Sequence, residues 1–160
     1  MAVHLCHMAK TYRDPSGTAS SVEEPAAVYA ASNLAASDPY EIMMQARAGL
    51  AIKRIQLFIE SYPLAASDWA AFADIPVRTF YRHLRGTSPI QGASAERILS
   101  VHDLIETGIE VFGDSERFFQ WIEVPRDIFR GHTALELLPY DHGVRIVRDE
   151  LGRIAHGVFI

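Results

Sequence analysis

The sequence predicts an all-α protein, with a helix-turn-helix domain followed by a small, mainly helical second domain. Apolar residues recur at three- and four-residue spacings, no segment alternates as a strand does, and the breaks between periodic segments fall at Pro, Gly or good N-caps. A core is affordable: 49% of the 160 residues are hydrophobic and 22% are charged, ordinary values for a globular chain. Cys6 is the single cysteine, which excludes an internal disulfide framework and fits a reducing, cytoplasmic compartment. No apolar run approaches the roughly 20 residues that span a bilayer, and the start "MAVHLCHMAK" lacks the charged and apolar regions of a secretion signal.

Charge is distributed unevenly. The net charge of -5 argues against non-specific coating of nucleic acid. By segment, residues 1–46 carry -3, residues 47–86 carry +3, residues 87–114 carry -4 and residues 115–160 carry -1. The one positive block is where the helix-turn-helix falls.

Residues 1–46 read as a leader. Its Ala, Ser and Pro content can bury little, so it is expected to be largely flexible up to a short helix at 39–47. There Asp38 is a good N-cap, Pro39 suits the first helical position, and Gly49 interrupts. From Ala51, residues Ile55, Phe58, Ile59 and Tyr62 share one helical face until Pro63. Ser67 is expected to cap a short helix "DWAAFA", and Asp74-Ile75-Pro76 breaks it. A further helix "VRTFYRHLRG" closes at Gly86. Ser94 is expected to cap a long helix with the stripe Ile98, Val101, His102, Ile105, Ile109 and Phe112, stopped by Gly113. "SERFFQWIEV" forms an aromatic-rich helix ending at Pro125. Thr133-Ala134-Leu135-Glu136 is a capping box that starts a short helix. Beyond Gly143, residues Val144, Val147, Leu151, Ile154 and Val158 form a narrow stripe, which predicts that the last helix continues into the terminus.

Residues 66–85 have the layout of a helix-turn-helix. In its second helix Val77, Phe80 and Leu84 face inward, while Arg78, Arg82 and Arg85 share the opposite face with Thr79 and Tyr81 beside them. A recognition helix needs this split, since one stripe holds the scaffold and the other enters the major groove. The arginine fork suits guanine edges and phosphates, and Lys53 and Arg54 can add phosphate contacts. Asp74 stands at the turn position often held by Gly, and aspartate tolerates the left-handed conformation such a turn requires. A helical hairpin with a solvated arginine face has the same spacing.

The other chemistry-bearing residues form no site. The seven histidines are scattered without metal-ligand spacing, so neither metal nor cofactor is expected, and His102 reads as a core histidine. There is no nucleophile elbow, phosphate loop or dinucleotide fingerprint, so the chain is not read as an enzyme. The ending Val158-Phe159-Ile160 serves either the protein's own core or a partner. Arg145, Arg148 and Arg153 flank its stripe, and His156 sits next to Gly157 in the same region.

Beyond these patterns, the stretches "RTFYRHLRG" at 78–86, "SAERIL" at 94–99, "EVFGD" at 110–114 and "FQWIEVPRDIFRGHTALELLPYDHGVRIVRDELGRIAHGVF" at 119–159 resemble the antitoxins of RES–Xre toxin–antitoxin systems. That family joins an Xre-like DNA-binding domain to a toxin-binding domain of the ParS/MbcA type. The resemblance covers roughly residues 48–160. Ala134 and Ile122 depart from its usual Pro and Leu, changes that keep a packed helix. It implies a helix-turn-helix domain over 47–113 and a toxin-binding domain over 114–160. It also implies neutralisation of an NAD-degrading RES-domain toxin by occlusion of its active site, and repression of the chain's own operon as a homodimer on operator DNA. The toxin-facing residues would be Arg145, Arg148, Leu151, Arg153, His156, Gly157, Val158, Phe159 and Ile160. The alternative is a stand-alone helix-turn-helix regulator whose second domain dimerises or binds a small ligand.

Overall fold

The computed structural model describes residues 38–157. The leader up to residue 37 and Val158, Phe159 and Ile160 lie outside the described residues. Among the described residues there are eight α-helices and no strand beyond one isolated bridge, as the periodicities predict.

α1 spans Pro39–Ala48, α2 Ile52–Ser61, α3 Ala66–Phe72 and α4 Val77–Leu84. Asp38 caps α1 by accepting the Tyr40 N–H at 3.0 Å, and Gly49 ends it. Two backbone hydrogen bonds between Leu50 and Ile90, of 2.7 and 3.0 Å, then tie the start of α2 to the loop that precedes α5. In α2 the buried residues are Ile52, Ile55 and Phe58, whereas Ala51 is exposed at the cap.

α5, Ala93–Phe112, is the centre of the structure and packs against α1, α3, α6 and α8. Ile98, Val101, Leu104 and Ile105 are fully buried, and Ala95, Leu99, Asp103, Thr107 and Gly108 are buried around them. Burial extends around most of the helix and leaves one exposed face carrying Glu96, Glu106 and Glu110, a wider apolar surface than the single stripe of a surface helix. α6 (Ser115–Glu123) starts at Asp114, whose carboxylate accepts the Arg117 N–H at 3.3 Å. A 3-10 turn at Asp127–Phe129 leads to α7 (Ala134–Leu137) and α8 (Asp141–Ala155). The Thr133 capping box is present: the Glu136 N–H donates to Thr133 Oγ1 at 3.1 Å, and the Thr133 N–H donates to Glu136 Oε2 at 3.0 Å. These bonds, with His132 nearby, hold the Glu136 carboxyl below its usual range.

Three expected boundaries are corrected. α3 starts at Ala66, not behind a Ser67 cap, because the Asp68 carboxylate takes the Ala65 N–H at 2.8 Å. α5 starts at Ala93 behind Gly92, which leaves Ser94 inside its first turn. α8 does not run on to the terminus. It ends at Ala155, the His156 N–H bonds back to the Gly152 carbonyl, and Gly157 follows at a left-handed φ of 68°, the conformation with which glycine stops a helix.

Two close approaches hold the C-terminal helices in place. A Cβ on Gly108 of α5 would lie 2.2 Å from the Phe118 ring, and a Cβ on Gly143 of α8 would lie 1.9 Å from the Leu137 carbonyl oxygen. Only a residue without a side chain admits either contact. Phe118 and Ile122 are fully buried there, with Trp121 tilted against Phe112 at 5.4 Å and edge-on to Phe129 at 5.9 Å. Much of the family-like stretch 119–159 thus serves the core.

Candidate functional site

α3 and α4 are built on an aromatic floor. Trp69 and Phe72 of α3 and Phe80 of α4 are buried, and Trp69 stacks near Phe58 and Tyr62. The turn between them depends on Asp74, whose φ of 54° is the left-handed conformation that the sequence requires of this aspartate. Arg97 of α5 steadies the turn, its Nη1 donating to Asp74 Oδ2 at 3.0 Å, while its Nε reaches Asp141 Oδ1 at 3.2 Å. The hydrogen bonds to Asp74 and Asp141 keep the guanidinium protonated, raising an already high pKa. At the far end of α4, the Gln56 amide donates to the Leu84 carbonyl at 3.1 Å.

Arg78, Arg82 and Arg85 are exposed and make no ion pair among the described residues. Together with Thr79 they line one depression on the surface of α4. Thr79 is half-buried and Tyr81 is exposed beside them. On the inner side Phe80 is fully buried and Leu84 is half-buried, but Val77 is 45% exposed. That corrects the inward reading of Val77, which begins the helix before it passes over the core. Lys53 is exposed. Arg54 is engaged locally, donating to Gln45 Oε1 at 2.8 Å and lying 5.5 Å over the Phe58 ring. Such an array of unpaired guanidiniums on a short, anchored helix can accept phosphates or base edges without first breaking a bond to its own protein.

The C-terminal candidates are placed differently. Arg148 Nη1 donates to Asp103 Oδ2 at 2.8 Å, and Arg153 Nε donates to Glu150 Oε2 at 2.7 Å. Leu151 is fully buried, so it holds α8 rather than meeting a partner directly. The His156 ring lies 2.7 Å from the Gly152 carbonyl through Nδ1, capping its own helix. Arg145 is exposed and has no ion pair among the described residues. Gly157 is exposed at the end.

Sequence reasoning missed Arg97. Its one signal was that it is the lone base in the acidic block 87–114, and nothing in its spacing points to Asp74 or Asp141. His102 lies as a core histidine should, 3.9 Å from the Phe58 ring centre. Its burial lowers its pKa, with the nearby Arg54 acting in the same direction and Glu106 and Asp103 opposing. Beside it the Tyr62 hydroxyl donates to Glu106 Oε1, and burial with that bond pushes the phenol pKa up. Among the described residues no cluster of three or more His, Cys, Asp or Glu could hold a metal ion. None of their helices is long and apolar enough to cross a membrane.

Residues 107–157 match the family described as the antitoxin Xre/MbcA/ParS C-terminal toxin-binding domain. The chain is also 25% identical over 83 residues to a protein named Antitoxin Xre from Pseudomonas putida, a match covering 52% of this chain and 52% of that relative. The chain therefore spans about half the length of the curated relative it matches. Both matches support the Xre-family antitoxin that the sequence resembles.

Proposed function

We propose that this chain is the antitoxin of a type II toxin–antitoxin pair, with α4 facing operator DNA and the segment 114–160 facing the toxin. The observation that carries this reading is the match of residues 107–157 to a toxin-binding domain. The toxin would be the NAD-degrading RES-domain enzyme implied by the resemblance, neutralised in the cytoplasm by occlusion of its active site. Inhibition of this kind asks no catalysis of the antitoxin. It asks for a rigid helix, which Gly143, Val147 and Leu151 provide by burial, and for a face that is left over.

The DNA half of the proposal rests on the exposed Arg78, Arg82 and Arg85, with Thr79 and Tyr81 beside them and Lys53 within the same basic segment. A homodimer would present two copies of α4 to successive turns of the major groove, which matches the half-site logic of helix-turn-helix repressors. Because α5 carries both Arg97 and the floor beneath α8, the two halves share one scaffold.

Co-purification tests the proposal. The chain is tagged at its N-terminus, recovered from its host and weighed with whatever accompanies it, then compared with a variant lacking Gly157–Ile160. The expected result is a stoichiometric second protein that degrades NAD once freed and that is lost with the tail. A homo-oligomer without a second component would instead favour a stand-alone regulator.

A further inference from the structure

Val77 opens α4 with 45% of its surface exposed, while Phe80, one turn further on, is fully buried. It follows Pro76, and no side chain caps this end of the helix, so the first turn is open to approach. Valine is a modest helix former and gains no burial energy where it faces water. The stability of α4 therefore does not account for it. Tyr81, 43% exposed, stands four residues later on the same flank.

The surroundings narrow what this apolar group can meet. Arg78, next in the chain, lines the depression on α4 together with Thr79, Arg82 and Arg85. The occupant proposed for that depression is DNA, and residues at the N-terminal end of a recognition helix are those that reach base edges in the major groove. The edges exposed there offer one apolar feature, the 5-methyl group of thymine. An arginine fork selects guanine edges or phosphates and has no purchase on a methyl group. A valine has that purchase, and its branched Cβ favours a single rotamer in a helix, so its two methyls are held in place before any contact is made.

We infer that Val77 is a specificity-determining residue, packing its methyl groups on the 5-methyl of an operator thymine beside the contact made by Arg78. The inference rests on the DNA reading of α4 and adds to its arginine face a sequence-reading group that carries no charge.

The test uses the full chain, alone and with its co-purified partner, on its own promoter fragment. Footprinting locates the protected thymines, and each is replaced in turn by uracil, which lacks the methyl group and keeps the same hydrogen-bonding edge. At one thymine in each half-site the replacement is expected to weaken wild-type binding about fourfold, the worth of one buried methyl group. Val77→Ala should weaken binding to the thymine fragment by a similar factor and should bind the thymine and uracil fragments equally. Arg78→Ala should weaken binding to both fragments and keep their ratio. Because the methyl contact is uncharged, the wild-type ratio should stay constant as salt rises, while overall affinity falls. Val77→Ser takes the place of Val77→Ala if the alanine variant does not fold. Equal wild-type binding to every uracil fragment overturns the inference, as does a truncated variant that still discriminates, and both leave DNA binding by α4 intact. Failure of the wild-type chain to bind the promoter overturns the DNA reading and the inference with it.

Discussion

Two arginines of α4 with Arg85 at its C-cap, and three arginines of α8, are placed in different surroundings. Arg78, Arg82 and Arg85 stand exposed without an ion pair among the described residues. On α8, Arg148 is bonded to the buried Asp103 and Arg153 to Glu150, which leaves Arg145 alone. A guanidinium already bonded to its own protein must give up that bond before it can serve a partner, whereas an unpaired one gives up only water. Similar numbers of arginine thus conceal an unpaired, exposed set on one helix and a mainly ion-paired set on the other.

The most disruptive way to break this contrast is Gly143→Ala. The added methyl would overlap the Leu137 carbonyl, so α8 must shift, and a loss of about 3 kcal/mol is expected in chemical denaturation. A variant as stable as wild type would show that α8 is not held where described. Arg148→Ala comes next. It withdraws the cation 2.8 Å from Asp103, whose side chain is 5% exposed, and partial exposure of the arginine limits the expected loss to about 2 kcal/mol. A loss of toxin affinity with stability unchanged would instead move Arg148 into the binding class.

The double variant Arg78→Ala with Arg82→Ala should behave in the opposite sense. Its stability should stay within about 0.5 kcal/mol of wild type. Operator binding should fall by about tenfold or more, with a shallower dependence on salt. An unchanged gel shift would remove α4 from the recognition role.

The smallest expected effect is a pH slope from His102. Burial lowers its folded pKa below the ordinary 6.5, so the unfolded chain takes up the proton more readily. The stability contribution is complete above pH 6.5 and is lost as pH falls from there through the folded pKa. The groups facing His102 are Phe58, Tyr62, Glu106, Arg54 and Asp103. His102→Phe should flatten the slope of stability between pH 7 and 5 in urea titrations, and a slope identical to wild type would locate the titration elsewhere.

How far the sequence could be read depended on the range of each interaction. The capping box at Thr133, the N-cap at Asp38 and the left-handed Asp74 were legible because each is settled within a few residues. Ser67 and Ser94 misled because a serine near a helix start is only one candidate cap, and Asp68 reaching back to Ala65 took the role instead. The stripe ending in Val158 suggested a continuous helix, since periodicity alone does not register the His156–Gly157 stop, although a glycine after a helix is a recognised terminator. Val77 followed the inward period but begins its helix beyond the edge of the core.

The sequence by itself determined the all-α class, the helix order and the arginine face of α4, because periodicity, caps and breaks are local and survive in one dimension. Tertiary structure alone decided which arginines remain available. Arg97 meets Asp74 and Asp141 across 23 and 44 residues, and Arg148 meets Asp103 across 45. An ion pair depends on a few ångströms in space, and no spacing along the chain carries that distance until α5 and α8 have packed.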